Sequence, residues 1–291
     1  MAFTQLATQY LFPAILMFMM FGLGLSLTGA DFTRLLHTPR PAIVGILGHA
    51  VILPLVAFAI LAVGNFPPLV AGGLVILAAC PGGVSSNTLV YLGRGDVALA
   101  VSLTAISSVV TVFTIPLVIG FGLDMFAGKS ATVRLDIFDT IQRLGAIILL
   151  PMFTGMVIRR LWADIAIRVE LYFRKMAGVT LVALITGSGL LAASGTEIGD
   201  LPYAILAVLL LLAGVVAMAY AVCWLTRLDE MRTMTVVIET GVQNAATAFL
   251  IGGTILKEPG FILTPAVYAI LMFAAAGLVI ILARRHSAQM Q

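Results

Sequence analysis

From Leu11 to Ala283 the chain is a succession of apolar runs about as long as a bilayer is thick, each closed by a short break carrying charge, proline or glycine. Wound as helices, such runs are apolar all round, which is stable only in an apolar solvent or a deep core. The charge count decides between those. With 16 basic and 13 acidic residues among 291, the chain is 10% charged, against roughly a quarter in water-soluble domains. So few charges cannot cover a globule of this size, which excludes an ordinary soluble enzyme. The fold class expected is an all-α integral membrane protein, because a helix satisfies its backbone donors and acceptors within its own segment.

Nine candidate spans follow, at approximately 8–28, 42–63, 68–92, 97–122, 140–158, 177–193, 202–225, 233–255 and 261–283. They leave only short connections, with no room for a separate soluble domain. Connections after odd-numbered spans carry Arg34, Arg40, Arg94, Arg159, Arg160, Arg168, Arg174, Lys175, Arg227, Arg232, Arg284 and Arg285, twelve of the sixteen basic residues. The positive-inside rule then puts the N-terminus outside and the C-terminus in the cytoplasm, in a plasma or bacterial inner membrane. Basic residues distributed in this way predict a lipid-bilayer setting rather than nucleic acid, and no obligate protein partner is expected. The N-terminal segment lacks a basic region and reads as the start of the first span, not a cleaved signal. Cys80 and Cys223 sit within apolar runs, without the spacing of a redox or zinc motif, and read as packing residues.

Glu239 is the only charged residue deep within a span. A carboxylate near mid-bilayer costs about 3 kcal/mol on insertion scales, so it is expected to face a cavity, a cation or a proton path. Two spans also look broken. The third meets Pro81-Gly82-Gly83-Val84-Ser85-Ser86-Asn87-Thr88, and the unwinding expected over 81–88 frees carbonyls that need an enclosed polar site. Those carbonyls, with the Ser86, Asn87 and Thr88 oxygens, are hard ligands of the kind sodium accepts. The eighth carries Glu239-Thr240-Gly241-Val242-Gln243-Asn244-Ala245-Ala246-Thr247, a second expected break over 239–247. If helical there, Glu239 and Gln243 share a face; if unwound at Gly241, the Thr240 and Val242 carbonyls become available. Spans three and eight cross in opposite directions. Two interrupted helices so related are the signature of an inverted-repeat secondary transporter with its site at the midplane. His49 stands alone in the second span, either as a packing residue or as a titrating neighbour of Glu239.

The runs PGGVSSN (81–87), YLGRGDVALAVSLT (91–104) and ETGVQN (239–244) resemble the bile acid:sodium symporter family, and the similarity extends from MFGLGLSL (20–27) through the last span. That family includes vertebrate hepatic and ileal bile acid carriers and many bacterial relatives. The resemblance implies discontinuous helices crossing at their breaks. It also implies a core (42–122 and 202–291) moving against a panel (1–41 and 123–201). One sodium site would map to Ser86, Asn87, Thr104 and Glu239. The other would map to Glu239, Gln243 and the carbonyls of Thr240 and Val242. Substrate would meet Asn244 and the segment around Val84 and Ser85. Four departures stand out. Ala100 occupies a position where the family often has serine, His49 one where it commonly has glutamine, Phe273 that of a substrate-contacting histidine, and Val84 that of a threonine at the crossover.

The function expected is a symporter driven by sodium and carrying a small organic anion, whether bile-acid-like, pantoate-like or a keto acid. The alternative is proton coupling on the same fold, with Glu239 and His49 titrating. An intramembrane enzyme or a channel is disfavoured, since no HExxH, GxSxG or acid-pair motif is present.

Overall fold

The computed structural model describes residues 7–126, 136–170, 172–173 and 198–289. Six helices are long and apolar enough to cross a membrane. In chain order with the shorter elements between them, they are α1 (Gln9–Ser26), the short α2 (Gly29–His37), α3 (Pro39–Val63), α4 (Pro68–Ala79), α5 (Val84–Gly93), α6 (Val97–Phe126), α7 (Ile137–Leu161), α8 (Leu201–Leu225), α9 (Glu230–Gly241), α10 (Ala245–Ile255) and α11, whose apolar length is Pro259–Arg284. Six of the nine expected spans are thus continuous helices. The third and eighth are each split into two halves too short to cross alone, and the sixth (177–193) lies outside the described residues. Arg174 and Lys175, used in the orientation argument, lie outside them too.

Large apolar side chains point outward along the long helices, among them Leu55, Phe113, Leu117, Leu206 and Leu278. Lipid is the solvent for that surface. Inside, α4 is the most enclosed element, with every residue from Val70 to Ala79 buried. The backbones of α1 and α7 pass so closely that a Cβ on Gly24 would lie 2.1 Å from the Met152 carbonyl oxygen, and one on Gly155 2.5 Å from that of Phe21. Small residues let membrane helices approach in this way, where dispersion replaces the hydrophobic effect as the attractive term.

Besides Leu250–Ile255 in α10, three wide π-type turns occur among the described residues, at Ala7–Leu11, Gly48–Ile52 and Gly145–Leu149. Each of these three is followed two residues later by a proline, Pro13, Pro54 and Pro151. Proline lacks an N–H and clashes with the carbonyl four residues back, and one extra residue in the turn relieves both conflicts without ending the helix. The middle turn contains His49.

Candidate functional site

The break between α4 and α5 begins at Cys80, held extended (ψ 153°) because the following Pro81 disfavours helical geometry before it. Gly83 is extended as well. Across from it, α9 ends at Gly241 and Val242 is extended, with α10 resuming at Ala245. The two gaps run antiparallel with Gly82 opposite Gln243, the one isolated β-bridge among the described residues. The Gly83 N–H donates to the Val242 carbonyl at 2.8 Å, and the Asn244 N–H to that of Pro81 at 2.9 Å. Each break therefore satisfies backbone groups that the other frees. Only glycine fits, since a Cβ on Gly83 would lie 2.8 Å from the Gln243 carbonyl oxygen.

The gaps are shorter than the sequence suggested. Ser86, Asn87 and Thr88 lie within the first five residues of α5, not in unwound chain, and Glu239 to Gly241 complete α9. The Ser86 N–H and hydroxyl both return to the Gly83 carbonyl, which starts the helix at once. Because α9 stops at Gly241, Gln243 lies in the bridge and does not share a helical face with Glu239.

Glu239 is fully buried, and the buried charged side chains among the described residues include no lysine or arginine. Its carboxylate accepts from Ser86 Oγ on one oxygen and from Thr104 Oγ1, 2.9 Å away, on the other. The Thr104 hydroxyl also lies 3.0 Å from the Ala100 carbonyl and 3.4 Å from Asn87 Oδ1, while Ser86 Oγ is 2.6 Å from the Gly83 carbonyl. Two hydroxyl protons thus face five oxygen acceptors, namely both carboxylate oxygens, the Asn87 amide oxygen and two carbonyls. A hydroxyl can donate only one proton at a time. The cluster is short of positive charge, and a small hard cation is the ligand such an oxygen set suits.

On the other side of Gly82 sits His49, 2% exposed, with neither ring nitrogen hydrogen-bonded. A Cβ on Gly82 would meet both its ring (3.1 Å) and Glu239 Oε2 (3.2 Å), so imidazole and carboxylate flank the crossover together. Gln243 donates through Nε2 to the Thr240 carbonyl at 2.6 Å, and its Oε1 has no partner. Asn244 caps α10 by accepting the Thr247 N–H at 3.2 Å, with its Nδ2 and the Thr247 hydroxyl unpartnered.

A cavity of about 520 Å³ opens beside this cluster, within the range of small-molecule sites. It is lined by Val84, Ser85, Asn87 and Thr88 of α5, by Phe18, Gly22 and Ser26 of α1, by Phe173 and by Phe273 of α11. Expected substrate residues Val84, Ser85 and Phe273 thus line it. Asn244 does not; it is buried beneath the crossover, because its side chain is used to start α10. Asn87 belongs to both sites, its amide oxygen toward Thr104 and its side chain at the cavity wall. The cavity reaches the membrane face at which α1 and α5 end and α6 begins. Toward the opposite face, Phe12 of α1 packs on Phe249 of α10 with ring centroids 5.6 Å apart, both rings buried.

Tyr268 went unremarked in the sequence. Its hydroxyl donates to the Gly241 carbonyl at 2.9 Å and caps the end of α9 from α11. A tyrosine in an apolar span with no polar neighbour was the available signal, since a buried phenol hydroxyl needs a partner.

Long apolar helices, two of them split and crossed around a buried carboxylate beside an amphipathic cavity, define an α-helical integral membrane protein of the solute-transporter class. The chain belongs to the Sodium Bile acid symporter family, whose model matches residues 13–198, and this is a family of transporters rather than enzymes. It is similar to a rice protein described as a probable chloroplastic sodium/metabolite cotransporter, 28% identical over 92% of this chain and 62% of that one. An uncharacterized sodium-dependent transporter of Bacillus subtilis is 25% identical over 78% of this chain and 68% of its own length. The human ileal sodium/bile acid cotransporter is 27% identical over 79% and 65%. The chain thus spans about two thirds of the length of these relatives.

Proposed function

We propose that the protein is a secondary active symporter that couples sodium entry to uptake of a small organic anion by alternating access. The observation that carries this reading is the acceptor surplus around Glu239, sited so that Asn87 is shared between it and the cavity. Sodium held by Ser86, Asn87, Thr104 and Glu239 would fix the Asn87 side chain and the first turn of α5. The N-terminus of α5 carries partial positive charge and faces the cavity, where an anionic group would be received against Ser85 and Val84. Apolar walls and the Phe273, Phe18 and Phe173 rings would hold the rest of the anion. Since cation and anion each order the same turn, each raises the other's affinity by the same factor.

In this reading α1, α2 and α7 belong to a panel and α3 to α6 with α8 to α11 to a core, related as inverted repeats. The basic residues that follow odd-numbered spans support a cytoplasmic mouth for the cavity, in a plasma or bacterial inner membrane. The state described is then open inward, with Phe12 and Phe249 sealing the outer side. The relatives' names support sodium as the coupling ion.

The test is sodium-dependent stabilisation and flux in Glu239→Gln. This variant keeps the shape but removes the charge, so it should fold, lose the rise in melting temperature on sodium addition, and lose sodium-driven accumulation of organic anions in proteoliposomes. Full sodium-driven accumulation in Glu239→Gln would remove the carboxylate from the mechanism. A second reading, proton coupling through Glu239 and His49, is favoured by the two unpartnered nitrogens of His49. Uptake that persists without sodium and collapses with the pH gradient would select it.

A further inference from the structure

The crossover has two polar sides, and they differ in kind. On the Ser86 and Thr104 side, five oxygens share two hydroxyl protons, the Gly83 carbonyl also taking the Ser86 N–H. The His49 side holds the ligands implied for a second sodium ion, and they do not form an oxygen cage. The Val242 carbonyl is engaged by the Gly83 N–H of the crossover, and the Thr240 carbonyl by the Gln243 amide nitrogen. Beyond the Glu239 carboxylate, which both mapped sites share, the side-chain oxygen left here without a partner is Gln243 Oε1, beside an imidazole. A neutral imidazole brings one N–H and one nitrogen acceptor. Its N–H is a donor and Gln243 Oε1 an acceptor, both buried and without a partner, so the groups on this side can pair with each other with no added charge. Sodium prefers oxygen, and nitrogen from a neutral ring is a poor substitute for an amide oxygen. The wide turn Gly48–Ile52 shapes the helix that carries this ring, and Gly48 sits against the Thr240 side chain, where a Cβ would come within 2.5 Å of its hydroxyl.

We infer that the protein binds a single sodium ion per transport cycle, at the Ser86, Asn87, Thr104 and Glu239 cage, and that His49 occupies the place of a second. The inference rests on the sodium-coupled reading above and fixes its stoichiometry. With one sodium per carried monoanion, the cycle moves no net charge. Membrane potential then contributes nothing to accumulation, which is limited by the sodium gradient alone.

The experiment is direct binding of radioactive sodium to the purified full chain in detergent, at constant ionic strength with choline as the replacing cation. The expected result is one ion per chain, a titration without cooperativity, and loss of binding in Thr104→Val. His49→Gln supplies the missing amide oxygen. It should raise the stoichiometry to two and make the titration cooperative, with an unchanged melting temperature as the check on folding. Two ions bound by the unaltered chain overturn the inference while leaving the sodium-coupled reading intact. A His49→Gln protein that folds and still binds one ion refutes the role given to the imidazole. No saturable binding at all sinks the sodium-coupled reading and the inference with it.

Discussion

Gly83→Ala tests the crossover where it is least forgiving. The added methyl would lie 2.8 Å from the Gln243 carbonyl oxygen, whereas ordinary contact begins near 3.4 Å. Its neighbour is backbone, so no side chain can rotate away. The bridge must open, and the bonds at risk are Gly83 N–H to Val242 O and Asn244 N–H to Pro81 O. Overpacking of this kind costs about 1–3 kcal/mol, and weakening two buried hydrogen bonds adds about 1 kcal/mol each. At roughly 2–4 °C per kcal/mol for a domain of this size, the melting temperature should fall by about 6–20 °C. Cys80 and Cys223 are free and buried, so a thiol-reactive fluorophore reports unfolding without any introduced label. The control is Gly120→Ala on α6, where a Cβ meets nothing within 4 Å and alanine's helix propensity favours the variant. Because Ser86 is anchored to the Gly83 carbonyl, apparent sodium affinity should also weaken about tenfold, equivalent to about 1.4 kcal/mol. Equal melting temperatures and sodium midpoints for the two variants would refute the argument that backbone contact at Gly83 holds the breaks together.

Ala100→Ser adds a hydroxyl one helical turn before Thr104. If it enters the cage, the sodium midpoint should fall about fivefold, for roughly 1 kcal/mol from one added oxygen, and an unchanged midpoint would count against the assigned cage. Gly24→Val sets side-chain atoms against the Met152 carbonyl, 2.1 Å from where its Cβ would stand, and should separate α1 from α7 with a larger melting loss than Gly83→Ala. In Ser85→Cys, the thiol lies in the cavity wall and should react with a membrane-impermeant reagent at least about ten times faster from the side of Ser26 and Leu92 than from the side of Phe12, read by mass shift in oriented vesicles. Comparable rates from both sides would contradict a one-sided cavity.

Much of the site could be read from residue types because burial in hydrocarbon makes polarity conspicuous. Glu239, Ser86, Asn87 and Thr104, the last supplied only by the family resemblance, meet within hydrogen-bond distance, and both breaks fall within the stretches whose proline and glycine content marked them. The length of the breaks was harder to read. Ser86, Asn87 and Thr88 suit the start of a helix as well as an irregular segment, and which one prevails depends on the pairing with Val242 and Asn244, a long-range contact that no local pattern encodes. The wide turn at His49 had a local cause in Pro54, yet proline alone does not distinguish a kink from a widened turn. Asn244 looked like a cavity residue because it adjoins the crossover, but its side chain caps α10 and is buried.

The antiparallel pairing at Gly82 and Gln243 also bears on how the molecule is made. Ser86 and Glu239, flanking that pairing, are 153 residues apart. A chain leaving the ribosome therefore threads its first several segments into lipid long before residues 242–244 are synthesised. Throughout that interval the Pro81-Gly82-Gly83 peptide groups have no mate, a condition hydrocarbon penalises by several kcal/mol per group. The early half must wait beside the insertion machinery, or wet at its gap, until the late half arrives. Nonsense truncations after Gly83 and before Val242 should consequently leave an insertion intermediate that quality-control proteases recognise, whatever the fate of its remaining helices.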